Sequence, residues 1–403
     1  MIRGRVRSRR LVWLGVPLAA LVGLTVWLLK DTARSDAIKP AQAAALGALP
    51  PPAAGKTLPK ADENDTQNSK VEVLKAQLRE VQHRLDSYRA ATKYPHESRP
   101  IAENPDQVRP FTPVSEEKPL RSGSGEPVAG LRLKTSQERI FVSGQESVLF
   151  TVGLYDDQNR PQDLRVSRAV AYVVQSSPDA NPPPPVAVQF EDKGAQGDLI
   201  AGDRILSTRF QPATQGFANA TGTIRIQLTL NADTGPSQTF FDIVYTPQIP
   251  ATWAGTARDV VEQGSLAFYL KANVKEAGRY VISARAYDAA GKPFALLTFN
   301  DEVPAGTQDI KLPLFGKLIR DLKPAFPITL RDVEGFRLYE DRFPDRAMMP
   351  RWVGVAHTSQ MHAAGAFSDA EWSSEERQRY LTEFDKDVQI TQNALQSAMG
   401  SQP

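Results

Sequence analysis

Leu11 to Leu29 form an uncharged run of 19 residues whose one hydroxyl belongs to Thr25. At about 1.5 Å per residue such a helix reaches roughly 28 Å, the thickness of a bilayer's hydrocarbon core. Trp13 and Trp27 stand near its ends, where indoles favour the water–lipid interface. Arg3, Arg5, Arg7, Arg9 and Arg10 precede the run, and Lys30 follows it. The positive-inside rule then predicts a basic cytoplasmic tail and membrane anchor over 1–30. Everything beyond lies on the far side. That describes a single-pass protein of a bacterial inner membrane with a periplasmic C-terminal region. A cleaved signal peptide is the rival reading, but it has a shorter apolar stretch and a small-x-small cleavage site. A buried core helix is opposed by the arginine cluster. Gly15, Ala19 and Gly23 recur every four residues and would form a smooth stripe for helix self-association, although small residues are common in membrane helices.

The six cations of residues 1–30 exceed the net charge of +2 carried by all 403 residues. The remainder is therefore net acidic and has no basic block, which argues against nucleic acid as a partner. The length allows two or three domains. The absence of cysteine excludes a disulfide framework and a Cys-based zinc site.

Residues 31–66 lack periodic apolar positions and contain Pro50, Pro51 and Pro52 in a row. They read as a linker, with a root-mean-square span on the order of 35 Å. Over 67–94 the pattern changes. Val71, Leu74, Leu78, Val81, Leu85 and Tyr88 alternate steps of three and four, a heptad seam. Asp65 or Asn68 is placed to cap this helix, and Pro95 stops it. About three heptads are marginal alone in water. Pairing with a second copy would satisfy the seam, and so would docking on the chain's own domains. Residues 95–128 return to a proline-rich linker.

Short strands with turn signals between them run from Leu131. The candidates 139–143, 147–155, 167–175, 186–191, 204–211, 222–230 and 238–246 suggest an immunoglobulin-like sandwich over 129–247. A second set, 266–274, 278–287, 294–300, 307–313, 327–330 and 334–340, places another over 252–356. A helical segment over 366–399 begins at a capping box, Ser368 to Glu371, and carries Tyr380, Leu381, Phe384, Val388, Ile390 and Leu395. The expected fold is mainly β: two immunoglobulin-like antiparallel sandwiches on a stalk, with an N-terminal transmembrane helix, a short coiled coil and a C-terminal helix.

Two stretches resemble modules of exported bacterial proteins. Asp192-Lys193-Gly194-Ala195-Gln196-Gly197-Asp198-Leu199-Ile200-Ala201-Gly202-Asp203 resembles the Asp/Gly loop of immunoglobulin-like domains in surface proteins of the choice-of-anchor type, although Arg204-Ile205-Leu206 replaces the usual aromatic residue. Gly278/Tyr280, Tyr287/Asp288/Gly291, Ala305/Gly306 and Phe315/Gly316/Ile319 are similar to a terminal β module of secreted bacterial proteins. Both resemblances imply accessory or adhesive roles and no reaction.

Asp192, Asp198 and Asp203 offer oxygens suited to calcium, the one cofactor the sequence suggests. The same residues also recur in plain tight turns. His357 and His362 are five apart, which does not match the helical zinc spacing. Trp253, Trp352 and Trp372 would suit glycan stacking or ordinary packing. No nucleophile motif, P-loop or dinucleotide fingerprint occurs, so no enzyme activity is expected. The reading is a membrane-anchored periplasmic binding or scaffold protein. It forms a homo-oligomer through its helices and presents its sandwiches to an envelope or secreted partner. A calcium- or glycan-binding module is the alternative.

Overall fold

Ile224, Ile226, Leu228 and Leu230 are fully buried on one side of a strand while Thr223, Arg225 and Gln227 face away, as a half-buried antiparallel strand requires. The computed structural model describes residues 63–174 and 181–400. The expected anchor, with Leu11, Trp13, Gly15, Ala19, Gly23, Trp27 and Leu29, lies outside the described residues. Among those described, no helix is long and apolar enough to cross a membrane.

The protein is mainly β, with four sheets packed in two pairs. In the first pair, Val114–Arg121, Pro127–Gln137, Val148–Asp156 and Pro161–Gln162 are neighbours in that order, and Leu206–Phe210 also pairs with Val148–Asp156. The facing sheet runs Phe141–Ser143, Gly235–Thr246, Gly222–Ala232, Arg165–Val173, Val186–Ala187, and its first pairing is parallel. Phe150, Phe210, Phe217, Phe241 and the isoleucines of Gly222–Ala232 fill the space between the sheets. Each fully buried side chain of this size contributes about 1.5–3 kcal/mol relative to exposure.

The second pair sets Ser98–Pro100, Pro293–Val303, Gly278–Tyr287, Thr329–Leu338 and Arg346–Met348, with Trp352–Thr358 also on Thr329–Leu338, against Ala251–Glu262, Ser265–Val274 and Gly306–Leu314. Its core holds Phe268, Leu270, Tyr280, Ile282, Leu297 and Leu312. Two long helices flank the sandwiches in sequence, α1 (Glu63–Ala91) and α3 (Glu375–Gly400), and a short helix, α2 (Gly316–Leu322), closes one end of the second sandwich. Gly316 has no room for a side chain, because a Cβ there would overlap the carbonyl oxygen of Gly264.

The stretch 95–128, expected as a linker, is folded. Ser98–Pro100 is an edge strand of the second sandwich, in register with Ala295 to Leu297. Val114–Arg121 is an edge strand of the first. The first sandwich is thus inserted between the opening strand of the second and the rest of it. The prolines misled because edge strands tolerate them: Pro100 and Pro119 each sit on a strand with a partner on one side only.

Residues 101–113 connect the sandwiches and cross the outer face of the strand Gly278–Tyr287. Arg285, completely buried there, pins the crossing. Its guanidinium donates to Gln107 O at 2.8 Å and Gln107 Oε1 at 2.7 Å. It also donates to Asp332 O at 2.9 Å, Glu334 Oε1 at 2.9 Å and Ser283 Oγ at 3.2 Å. The five hydrogen bonds match a guanidinium's five N–H groups, which is what makes a buried arginine tolerable.

Helix α1 begins four residues earlier than the expected linker boundary. Helix α3 begins after the expected capping box. Its cap is Ser374, whose Oγ accepts the Arg377 N–H at 3.0 Å, while Ser368 Oγ only closes a turn with Ala370 N.

Candidate functional site

The heptad seam of α1 is where the two helices meet. Val71, Leu74, Leu78, Val81, Leu85 and Tyr88 are buried or half-buried, and every other position from Lys70 to Arg89 is exposed. The partner surface is α3 of the same chain. There Arg377, Leu381, Phe384, Val388, Thr391, Leu395 and Ala398 repeat the four-three spacing and are likewise its less exposed positions. Tyr88, late in α1, packs on Tyr380 and Phe384, early in α3, with ring centroids 5.7 Å and 5.3 Å away, so the pair is antiparallel. The seam proposed for self-association is therefore occupied within one chain. A heptad stripe states that a partner is needed and leaves its identity open. A segment of the same chain has the concentration advantage. Tyr380 and Ile390, read as apolar packing positions, are exposed.

The base of this pair is polar. Asp321 of α2 accepts Tyr94 OH at 2.8 Å and pairs with Lys93 at 2.7 Å and Lys317 at 3.0 Å. Burial would raise the Asp321 carboxyl, but the hydrogen bonds from Lys93, Lys317 and Tyr94 outweigh it and hold the pKa at about 2. Buried Arg377 reaches Thr92 Oγ1 at 3.0 Å, and Trp372 N donates to Lys93 O.

The Asp/Gly loop of the first sandwich gathers the three expected acids. Asp192, Asp198 and Asp203 each bring a carboxylate oxygen within 4.8 Å of the others. Asp192 accepts Gly202 N at 2.6 Å and Arg204 N at 2.8 Å. Asp198 accepts Gly194 N at 2.6 Å and Ile200 N at 3.2 Å, and Asp203 accepts Ile205 N at 2.9 Å. These bonds fold the loop. Gly197 is required, because at φ +90° a Cβ would lie 2.6 Å from Leu149 Cδ1. The neighbouring cations turn elsewhere, Arg204 to Asp163 and Lys193 to Glu191. Among the described residues no ion pair neutralises the three carboxylates. The spacing suits oxygens 2.3–2.6 Å from one Ca²⁺, with backbone carbonyls and water completing the shell.

A constellation that local spacing hides lies in the second sandwich. Asp259, on Ala251–Glu262, has a side chain only 5% exposed. His357 Nε2 meets its Oδ1 at 2.7 Å, His362 Nε2 meets its Oδ2 at 3.2 Å, and Gln360 N donates to Oδ2 at 3.3 Å. Burial opposes ionisation, yet these hydrogen bonds hold the carboxyl below its ordinary range. Both imidazoles also meet phenylalanine rings edge-on, His357 at Phe268 and His362 at Phe326. Of the three tryptophans, Trp253 and Trp352 lie together with centroids 6.1 Å apart, packed on the second core, with Trp253 Nε1 donating to Pro350 O. Trp372 belongs instead to the base of the helices.

No family model and no curated protein sequence matches the chain. Three solved structures match parts of the chain. A DUF4785 family protein from Legionella pneumophila matches with TM-score 0.39 and 10% identity over 56% of this chain and 57% of that one. The elastase-activated alpha-2-macroglobulin of Escherichia coli matches with TM-score 0.19 and 12% identity over 56% of this chain and 19% of that one. Squid arrestin matches with TM-score 0.19 and 8% identity over 60% of this chain and 97% of that one.

Proposed function

We propose that this chain is a single-pass envelope protein that presents a two-sandwich head to a protein partner and performs no chemistry itself. The sequence supports the anchor through the apolar run Leu11–Leu29 and the arginines before it. We read the sandwiches as immunoglobulin-like modules of the kind the Asp/Gly loop suggests. The observation that carries the reading is the route of the chain into the head. The chain runs from α1 into Ser98–Pro100, hydrogen-bonded into a sheet, and on through the strap pinned by Arg285. From α1 onward the chain is thus part of the head, and the expected linker before it sets the reach of the head from the anchor. Reporter enzymes fused after Pro403 test the arrangement in a Gram-negative host. Alkaline phosphatase active on the far side, with the mature chain retaining residues 1–30, is the expected result. A C-terminus found only in the cytosol, or a mature start beyond residue 30, overturns it.

A second reading rests on one geometric observation, the three close carboxylates of Asp192, Asp198 and Asp203 without a cationic partner among the described residues. Under it the first sandwich binds Ca²⁺, and calcium titration followed by melting temperature separates it from a plain turn.

A further inference from the structure

The outer face of the second sandwich carries a patch that the strap leaves partly bare. Ile282, Ala284 and Ala286 point into the core, so Ser283, Arg285 and Tyr287 point outward. Arg331 lies directly across from Arg285 in the next strand. Val355 of Trp352–Thr358 lies across from Arg331 in turn. The strap covers Arg285 through Gln107, and Tyr287 through the bond from its hydroxyl to Val108 O at 3.3 Å. It then seats Phe111 beneath the Arg351 guanidinium, 4.6 Å from the ring centroid. Beyond it Val353 is 69% exposed and Val355 is 55% exposed, an apolar pair on a strand whose one pairing partner is Thr329–Leu338.

The arginines beside these valines differ from Arg285. Arg331 stacks over Tyr287, 5.1 Å from its centroid, and its buried Nε has no hydrogen-bond partner. Among the described residues Arg351 makes neither a hydrogen bond nor an ion pair. The acids within its electrostatic reach are already engaged. Glu334 pairs with Arg285, Glu146 with Arg139, and Glu138 with Arg139, Arg209 and the Leu149 N–H. Burial pushes the Arg351 pKa down, and Arg139 adds to the effect. A half-buried cation without an acceptor is costly, and an incoming carboxylate would relieve that cost.

We propose that this face, from Arg351 through Val353 and Val355 to Arg331, docks an acidic segment of another protein, whose carboxylates pair with the two arginines and whose apolar side chains cover the valines. Alternate residues of an extended chain project the same way about every 6.6 Å, which suits cations set beside apolar positions on one strand face. The engaged glutamates nearby disfavour a polyphosphate, while single carboxylates meet one cation each. The inference deepens the presentation reading and rests on it only for the partner being a protein. A reporter that ends in the cytosol removes the anchor and leaves the patch to be tested on its own.

The test uses the full chain in detergent micelles and a short fluorescent peptide alternating Glu and Val, with a Lys/Val peptide as control. The acidic peptide alone should give a saturating anisotropy curve that weakens with added salt. Arg351→Gln and Arg331→Gln should each reduce affinity about tenfold or more, as loss of a charge-assisted contact does. Val353→Glu, at an exposed position, should abolish binding without moving the melting temperature. Equal affinity in wild type and all three variants, or no saturation at millimolar peptide, overturns the proposal. So does displacement of the peptide by anionic-lipid vesicles, which would assign the cations to lipid headgroups.

Discussion

His357 on Trp352–Thr358 donates through Nε2 to Asp259 on Ala251–Glu262 at 2.7 Å, and so ties one sheet of the second sandwich to the sheet packed on it. His362 and the Gln360 N–H bring the start of the segment leading to α3 onto the same carboxylate. Asp259→Ala leaves both half-buried imidazoles and that N–H without their shared acceptor. The expected loss is about 1–3 kcal/mol of unfolding free energy, read from chemical denaturation at neutral pH.

The same carboxylate predicts a pH dependence. Its folded pKa is depressed, so its stabilisation is complete above the unfolded value of about 4 and disappears as pH falls through the folded value. The melting temperatures of wild type and Asp259→Asn should therefore differ most near neutrality and converge below about pH 4. A constant gap across that range would show that the charge of Asp259 plays no part.

The helical pair gives a test of chain connectivity. The native sequence contains no cysteine, so Tyr88→Cys with Phe384→Cys introduces the only thiols. Their parent rings lie 5.3 Å apart within one chain, and a short bis-maleimide should yield a cross-linked monomer. A predominantly dimeric product would mean that the seam exchanges between copies. Leu85→Ala should loosen the pair by about 2–4 kcal/mol and expose α1 and α3 to protease, with the sandwich transition unchanged.

The seam shows what kind of information the sequence holds. The heptad of α1 was legible because 3.5-residue periodicity is local, and its strand counterparts in Gly222–Ala232 and Gly278–Tyr287 were legible for the same reason. The α3 half was harder, because Arg377 and Thr391 occupy seam positions where an apolar residue is expected. Pairings across long sequence separations were hidden altogether. Asp259 meets His357 from 98 residues away, and Arg285 meets Gln107 from 178. The insertion of one sandwich into the other was hidden as well, since Ser98–Pro100 is too short and too proline-marked to read as a strand. The Asp/Gly loop was legible because its residues are contiguous.

Arg285 should prove costly to replace. Arg285→Met removes five hydrogen bonds and strands Gln107, Asp332 O and Glu334 beneath the strap, an expected loss of about 3–5 kcal/mol. Limited proteolysis should then cut within 101–113. Arg285→Lys retains the charge with fewer donors in the wrong geometry and should recover only part of the loss. Full recovery by lysine would mean that charge, and not the fork of donors, secures the crossing.

The Asp/Gly loop allows turn and ion roles to be separated residue by residue. Asp198 uses both oxygens on backbone N–H groups, so Asp198→Ala should destabilise the loop by about 1–3 kcal/mol with or without calcium. Asp203 uses only Oδ1, for Ile205 N, and Asp203→Asn keeps that acceptor while removing a charge. In chelator the Asp203→Asn protein should therefore melt close to wild type. If three carboxylates serve one Ca²⁺, wild type should gain about 2.7 kcal/mol at a calcium concentration one hundred times its dissociation constant, and Asp203→Asn should lose most of that gain. Calorimetric melting of both proteins, with chelator and with millimolar calcium, reads the difference directly. Identical melting of wild type in the two conditions would leave the carboxylates as turn formers, because an ion that binds only the folded loop must raise its stability.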